Sequence, residues 1–106
     1  MIMKRIANVT KLKEGKAEEY LALHDKIWDE VVEVAHKYGL RNFTMFRVDN
    51  YLFSYYEYVG DDFAKDMAEK AQQPGQAEWQ AATGAFKDLI EGKPAIILDE
   101  FWHHDF

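Results

Sequence analysis

Proton transfer is the chemistry open to this chain. It has no cysteine and Ser54 is its one serine, so covalent catalysis through a thiol or an activated hydroxyl has no obvious centre. Glycine-rich phosphate loops and the GxSxG elbow are absent as well. What remains is imidazole, phenol and carboxylate, the groups of general acid–base catalysis. Of the four histidines, His24 is the one set within an apolar stripe. At about 100° per residue it falls about 40° from Tyr20 on a helix and about 40° from Trp28 on its other side. An imidazole between two aromatics, with an unperturbed pKa near about 6.5, is matched to moving protons at neutral pH. The same pattern also fits a core histidine whose ring nitrogens are satisfied by backbone or by a neighbouring hydroxyl. Periodicity leaves both readings open.

Trp79 heads a second stripe, with Ala82, Phe86 and Leu89 below it and Glu78 beside it. An indole face can carry the C–H surface of a sugar ring, while a carboxylate orients hydroxyls; a plain core tryptophan gives the same spacing. His36 lies about 120° from His24 and is expected to face solvent. His103 and His104 are adjacent on an expected strand, so they point to opposite faces and cannot share a metal ion. With no HExxH or similar spacing, a metal site is not expected. Tyr20, with a phenol that titrates near about 10, is a hydrogen-bond partner rather than a base.

These side chains need elements to hold them. Residues 3–12 read as a strand. Residues 14–38 carry the strongest helical pattern, stopped by Gly39. Two β-rich runs, 42–48 and 52–59, flank a turn at Asp49-Asn50-Tyr51. Helical segments follow at 61–71 and 76–90, separated by Gln73-Pro74-Gly75, and 95–104 closes the chain as a strand. The order β-α-β-β-α-β is that of an α+β, ferredoxin-like fold: an antiparallel sheet with helices on one face. The sheet's other face is expected to carry several of Phe43, Phe46, Phe53, Tyr55, Tyr56, Phe101 and Trp102. So much aromatic surface on so small a domain predicts a homodimer packed sheet to sheet, a dimeric α+β barrel.

The chain has 106 residues, one domain (1–106) with a single core. Thirteen basic against nineteen acidic residues leave a net charge of -6. Nucleic acid and anionic membrane surfaces want a basic face, so a neutral small molecule is the better partner. The first sixteen residues lack the apolar run of a signal peptide and no segment approaches a spanning helix, so a cytoplasmic location is expected.

The run Glu18-Glu19-Tyr20-Leu21-Ala22-Leu23-His24-Asp25-Lys26-Ile27-Trp28-Asp29-Glu30 resembles the first-helix signature of the L-rhamnose mutarotase family. The likeness continues through Gly39-Leu40-Arg41-Asn42-Phe43, Asn50-Tyr51-Leu52-Phe53, Glu57, the 76–79 segment and Glu100-Phe101. It implies a dimeric ferredoxin-like enzyme that interconverts the anomers of an aldose without a cofactor. His24 takes the place of the family's proton donor and Tyr20 that of a sugar-contacting tyrosine. Trp79 matches the second member of a tryptophan pair that lines the sugar site. Three positions depart from the pattern. A common proline is Asp29, the first tryptophan of the pair is Glu78, and a substrate-contacting tyrosine is Phe43. The acid–base centre therefore transfers better than the sugar specificity does. An L-fucose-type mutarotase of the same family stays open, and so does a cofactor-free monooxygenase of the same architecture.

Overall fold

The computed structural model describes residues 3–106. Strand β1 (Lys4–Leu12) leads into helices α1 (Ala17–Asp25) and α2 (Asp29–Lys37), followed by the hairpin β2 (Leu40–Val48) and β3 (Tyr51–Tyr58). Helices α3 (Phe63–Ala71) and α4 (Gln76–Gly84) precede two short strands, β4 (Lys87–Asp88) and β5 (Ile96–Leu98). All strand pairs are antiparallel and the order is β2-β3-β1-β4, with β5 also on β1. This is the ferredoxin-like plan, its fourth strand split into two pieces.

The split corrects two expectations. The helix of 76–90 ends at Gly84, and Lys87 and Asp88 turn down to pair with Leu12 and Lys11. Phe86 therefore reaches the core from the loop, not from a helical stripe. The strand of 95–104 is paired only over Ile96–Leu98. Beyond it, Arg5 Nε donates to Glu100 at 2.6 Å, so one exposed ion pair prolongs the alignment after the backbone ladder stops.

The long helix of 14–38 is two helices. Lys26 and Ile27 close α1 with short-range bonds to the carbonyls of Leu23 and His24. Trp28 is extended (φ −70°, ψ 138°), and its carbonyl then accepts from Val31 and Val32 to start α2. Asp29 and Glu30 occupy the first turn, where the exposed amides and the helix dipole favour negative charge. Apolar spacing does not register the break, because both halves keep their inward faces in phase. Asp29 is the first residue of α2, the helical position where proline fits best, which accounts for the family's residue there.

On β3, side chains alternate: Leu52, Ser54 and Tyr58 are buried beneath the helices, while Tyr51 and Phe53 face away and are exposed. Leu12, Tyr20 and Leu52 form the centre of the core, with Ala17, Met45 and Phe86 packed against it. A bulge between Arg41 and Thr44, with Asn42 at φ 53°, changes the phase of β2. It corrects the expected outer face. Phe43 and Tyr56 stack on each other with ring centroids 5.6 Å apart, on the helix side of the sheet. The open face keeps Phe46 opposite Phe53 and Val48 opposite Tyr51, with Phe46 64% and Val48 55% exposed. Phe101 and Trp102 lie past β5 in the unpaired tail rather than on the sheet.

Candidate active site

Between the helix side of the sheet and helices α1, α2 and α4 lies a cavity of about 1060 Å³. The sheet supplies its floor with Asn8, Thr10, Met45 and Ser54, and the helices supply Tyr20, His24 and Trp79. Three of the anticipated residues meet here within one aromatic cluster. The His24 ring lies 4.3 Å from that of Tyr20 and 5.2 Å from that of Trp79, and Trp79 meets Trp28 edge-on at 5.1 Å. Thr83 steadies the helix below, its hydroxyl donating to the Trp79 carbonyl at 3.0 Å.

His24 Nδ1 is 3.0 Å from the Tyr20 carbonyl. A carbonyl can only accept, so Nδ1 carries a hydrogen and donates it, which leaves the Nε2 lone pair of the neutral ring as the basic site. Burial lowers the His24 pKa below its ordinary value; the Tyr20 carbonyl opposes this and the charge of Lys87 adds to it. The imidazole is thus neutral at pH 7 and ready to accept a proton. Burial pushes the Tyr20 phenol up to about 12, so it stays protonated and acts as a donor.

Phe43 also lines the cavity, brought there by the bulge. Glu78 does not. Adjacent helical residues differ by about 100°, so with Trp79 buried Glu78 is turned outward and exposed, apart from the cavity. His36 is exposed as expected, yet it sits at the cavity's edge. His103 Nε2 donates to the Asp105 carboxylate in the tail, far in sequence from His24 and His36. Among the described residues no cluster of three potential metal ligands is found, and no helix is long and apolar enough to cross a membrane.

Asn8, Thr10 and Lys87 line the cavity without having been anticipated. The sequence carries a signal for the first two: Ile6, Asn8, Thr10 and Leu12 share one face of β1, and polar residues on a core-facing phase need partners. Asn8 Oδ1 is buried with no hydrogen-bond partner among the described residues. Lys87 was hidden by the helical reading of 76–90; only its pairing with Leu12 turns it inward.

The L-rhamnose mutarotase family model matches residues 5–104. An L-rhamnose mutarotase of Lachnoclostridium phytofermentans is 40% identical over 111 residues, covering 97% of this chain and all of the relative. The crystal structure of an L-rhamnose mutarotase from Formosa agariphila superposes with a TM-score of 0.78 at 22% identity, over 96% of this chain and 99% of that one. A cofactor-independent oxygenase from Streptomyces nogalater shares the fold at a TM-score of 0.65 and 13% identity, over 98% of each chain.

Proposed function

Because this chain belongs to the L-rhamnose mutarotase family, whose members are isomerases, we propose that His24 exchanges the proton by which it interconverts the α and β anomers of L-rhamnose or a related deoxyhexose. The observation that carries the assignment is the His24 ring itself. It is neutral, fixed in one tautomer by the Tyr20 carbonyl, and held between Tyr20 and Trp79 at a cavity large enough for a monosaccharide.

The reaction needs little else. Nε2 takes the proton of the anomeric hydroxyl as the bond from C1 to the ring oxygen breaks, and the ring oxygen gains a proton. Rotation about the C1–C2 bond of the open aldehyde then presents its other face, and reclosure runs the same proton steps backwards. His24 is therefore base in opening and acid in closing, which reconciles its neutral state with the family's proton-donor role. Trp79 offers an apolar face to the sugar and Tyr20 a phenol hydrogen. Phe43 supplies apolar surface without a hydroxyl, which leaves room for a preference other than L-rhamnose. The test is saturation-transfer NMR on free L-rhamnose, L-fucose and D-glucose. Enzyme-dependent exchange is expected for at least one of the two deoxyhexoses. If none of the three exchanges faster than in buffer, the reading is wrong.

We also propose a homodimer closed through the open face of the sheet, and a cytoplasmic location, which the net charge of -6 suits by keeping a small chain soluble. Phe46, Val48, Tyr51, Phe53 and Leu98 are each more than a third exposed, more apolar surface than a small monomer usually presents to water. Light scattering is expected to return about twice the chain mass of 12.4 kDa at micromolar concentration. A stable mass of one chain would mean that this face is simply wet.

A further inference from the structure

We propose that Lys87 is the second proton-transfer group of this site, giving a proton to the ring oxygen while His24 takes one from the anomeric hydroxyl. The proposal rests on the mutarotase reading and names the partner that reading leaves open.

Lysines of soluble proteins keep their ammonium in water. Lys87 does not. The β4 pairing sets it opposite Leu12, the most buried residue of the core, and its side chain runs into the cavity. Nζ donates to Thr10 Oγ1 at 2.7 Å and sits 5.0 Å from the centre of the Tyr20 ring. Among the described residues no carboxylate lies within ion-pair distance of it. A half-buried cation with only a hydroxyl and a ring face for company is poor structural material, since a methionine would fill the space without the desolvation cost.

The placement suits a proton donor. An ammonium has three hydrogens; one goes to Thr10 and one can face the Tyr20 ring, which leaves the third for a ligand. Lys87 and His24 flank the same Tyr20 ring, at 5.0 and 4.3 Å from its centre. Both line the same cavity, so a sugar seated there would meet a basic nitrogen and an acidic one. The other charged or titratable groups lining the cavity are Tyr20 on α1, His36 on α2, Arg41 on β2, Lys70 on α3 and Asp88 next to Lys87. Tyr20, pushed up to about 12, stays protonated, so it cannot be the base and is a far weaker acid than the Lys87 ammonium.

The protonation states agree with the geometry. Burial brings Lys87 down to about 8, so at pH 7 it is still charged but only mildly acidic, whereas His24 is already neutral. Two groups that titrate on opposite sides of the working pH are the arrangement a concerted acid–base pair requires. The rate should fall at low pH as His24 gains a proton, and fall again above about pH 8 as Lys87 loses one.

The experiment is the pH profile of anomer exchange for the full chain and three variants. Lys87→Met is expected to lose about 100-fold in rate and its alkaline limb near pH 8. Lys87→Arg keeps the charge but binds its proton too firmly, so it should lose that limb and at least about tenfold in rate. Thr10→Val removes the acceptor of the ammonium, which favours the neutral amine; its alkaline limb should move to lower pH, and this variant decides the matter should Lys87→Met fail to fold. A folded Lys87→Met with near-normal rate and an intact alkaline limb overturns the proposal. So does a Lys87→Met in which only the acid limb moves, because Lys87 would then merely bias His24. An inactive wild-type chain instead sinks the mutarotase reading, and this inference with it.

Discussion

His24→Ala is expected to slow enzyme-dependent anomer exchange by at least about 100-fold, the ordinary contribution of a positioned acid–base group. Alanine keeps the helix but removes both Nδ1, which donates to the Tyr20 carbonyl, and the basic Nε2. The lost hydrogen bond is local to one turn of α1, so the far-UV circular dichroism and the assembled mass should hardly change. His103→Ala is the control: that ring pairs with Asp105 in the tail and should leave the rate within about twofold. Exchange by a folded His24→Ala at near-normal speed would remove His24 from the chemistry, whatever sugar the enzyme takes. Unfolding together with inactivation would instead mark it as a core histidine.

Leu12→Ala is expected to cost about 2–5 kcal/mol, a large part of the roughly 5–15 kcal/mol that holds a domain of this size together. At 1% exposed, Leu12 is the most enclosed side chain of the core and packs with Tyr20 and Leu52. Its neighbours belong to the sheet and to α1, which cannot both close on the void. A domain of about 100 residues loses roughly 4–8 °C per kcal/mol, so thermal melting should shift by more than about 8 °C. Activity should fall at assay temperatures near the new midpoint, since Tyr20 is both a wall of that core and a neighbour of His24. A loss under about 1 kcal/mol would show that the core has another centre.

The candidate acid–base residues were legible because they share one short helix. Tyr20 and His24 are separated by a single turn, and any helical reading brings them together; Trp79 joins them because its own stripe faces the same core. The element order was legible for a similar reason, since strands and helices differ in period. What stayed hidden depends on breaks in period. The extended backbone at Trp28 divides a helix without disturbing its apolar phase. The bulge at Asn42 puts Phe43 on the cavity side in phase with Met45, where unbroken alternation from Arg41 would set it on the open face. Lys87 was concealed by the same fault at larger scale: three residues past Gly84 the chain is strand, and a solvated helical lysine becomes an inward one.

Each of the four helices is nine residues long. Helices below about 12–15 residues are marginal in water, because one costly nucleus is spread over too few added bonds. None of these four is therefore a separate folding unit; each is helical only while docked on the sheet. The sheet in turn depends on β1 meeting β3, Lys4 opposite Tyr58, across half the length of the chain. Order in the α1 turn that presents His24 is thus bought by a contact made at long sequence range. The helical dichroism signal accordingly reports on whether that distant strand pair has formed, and the turn that carries His24 cannot outlast it.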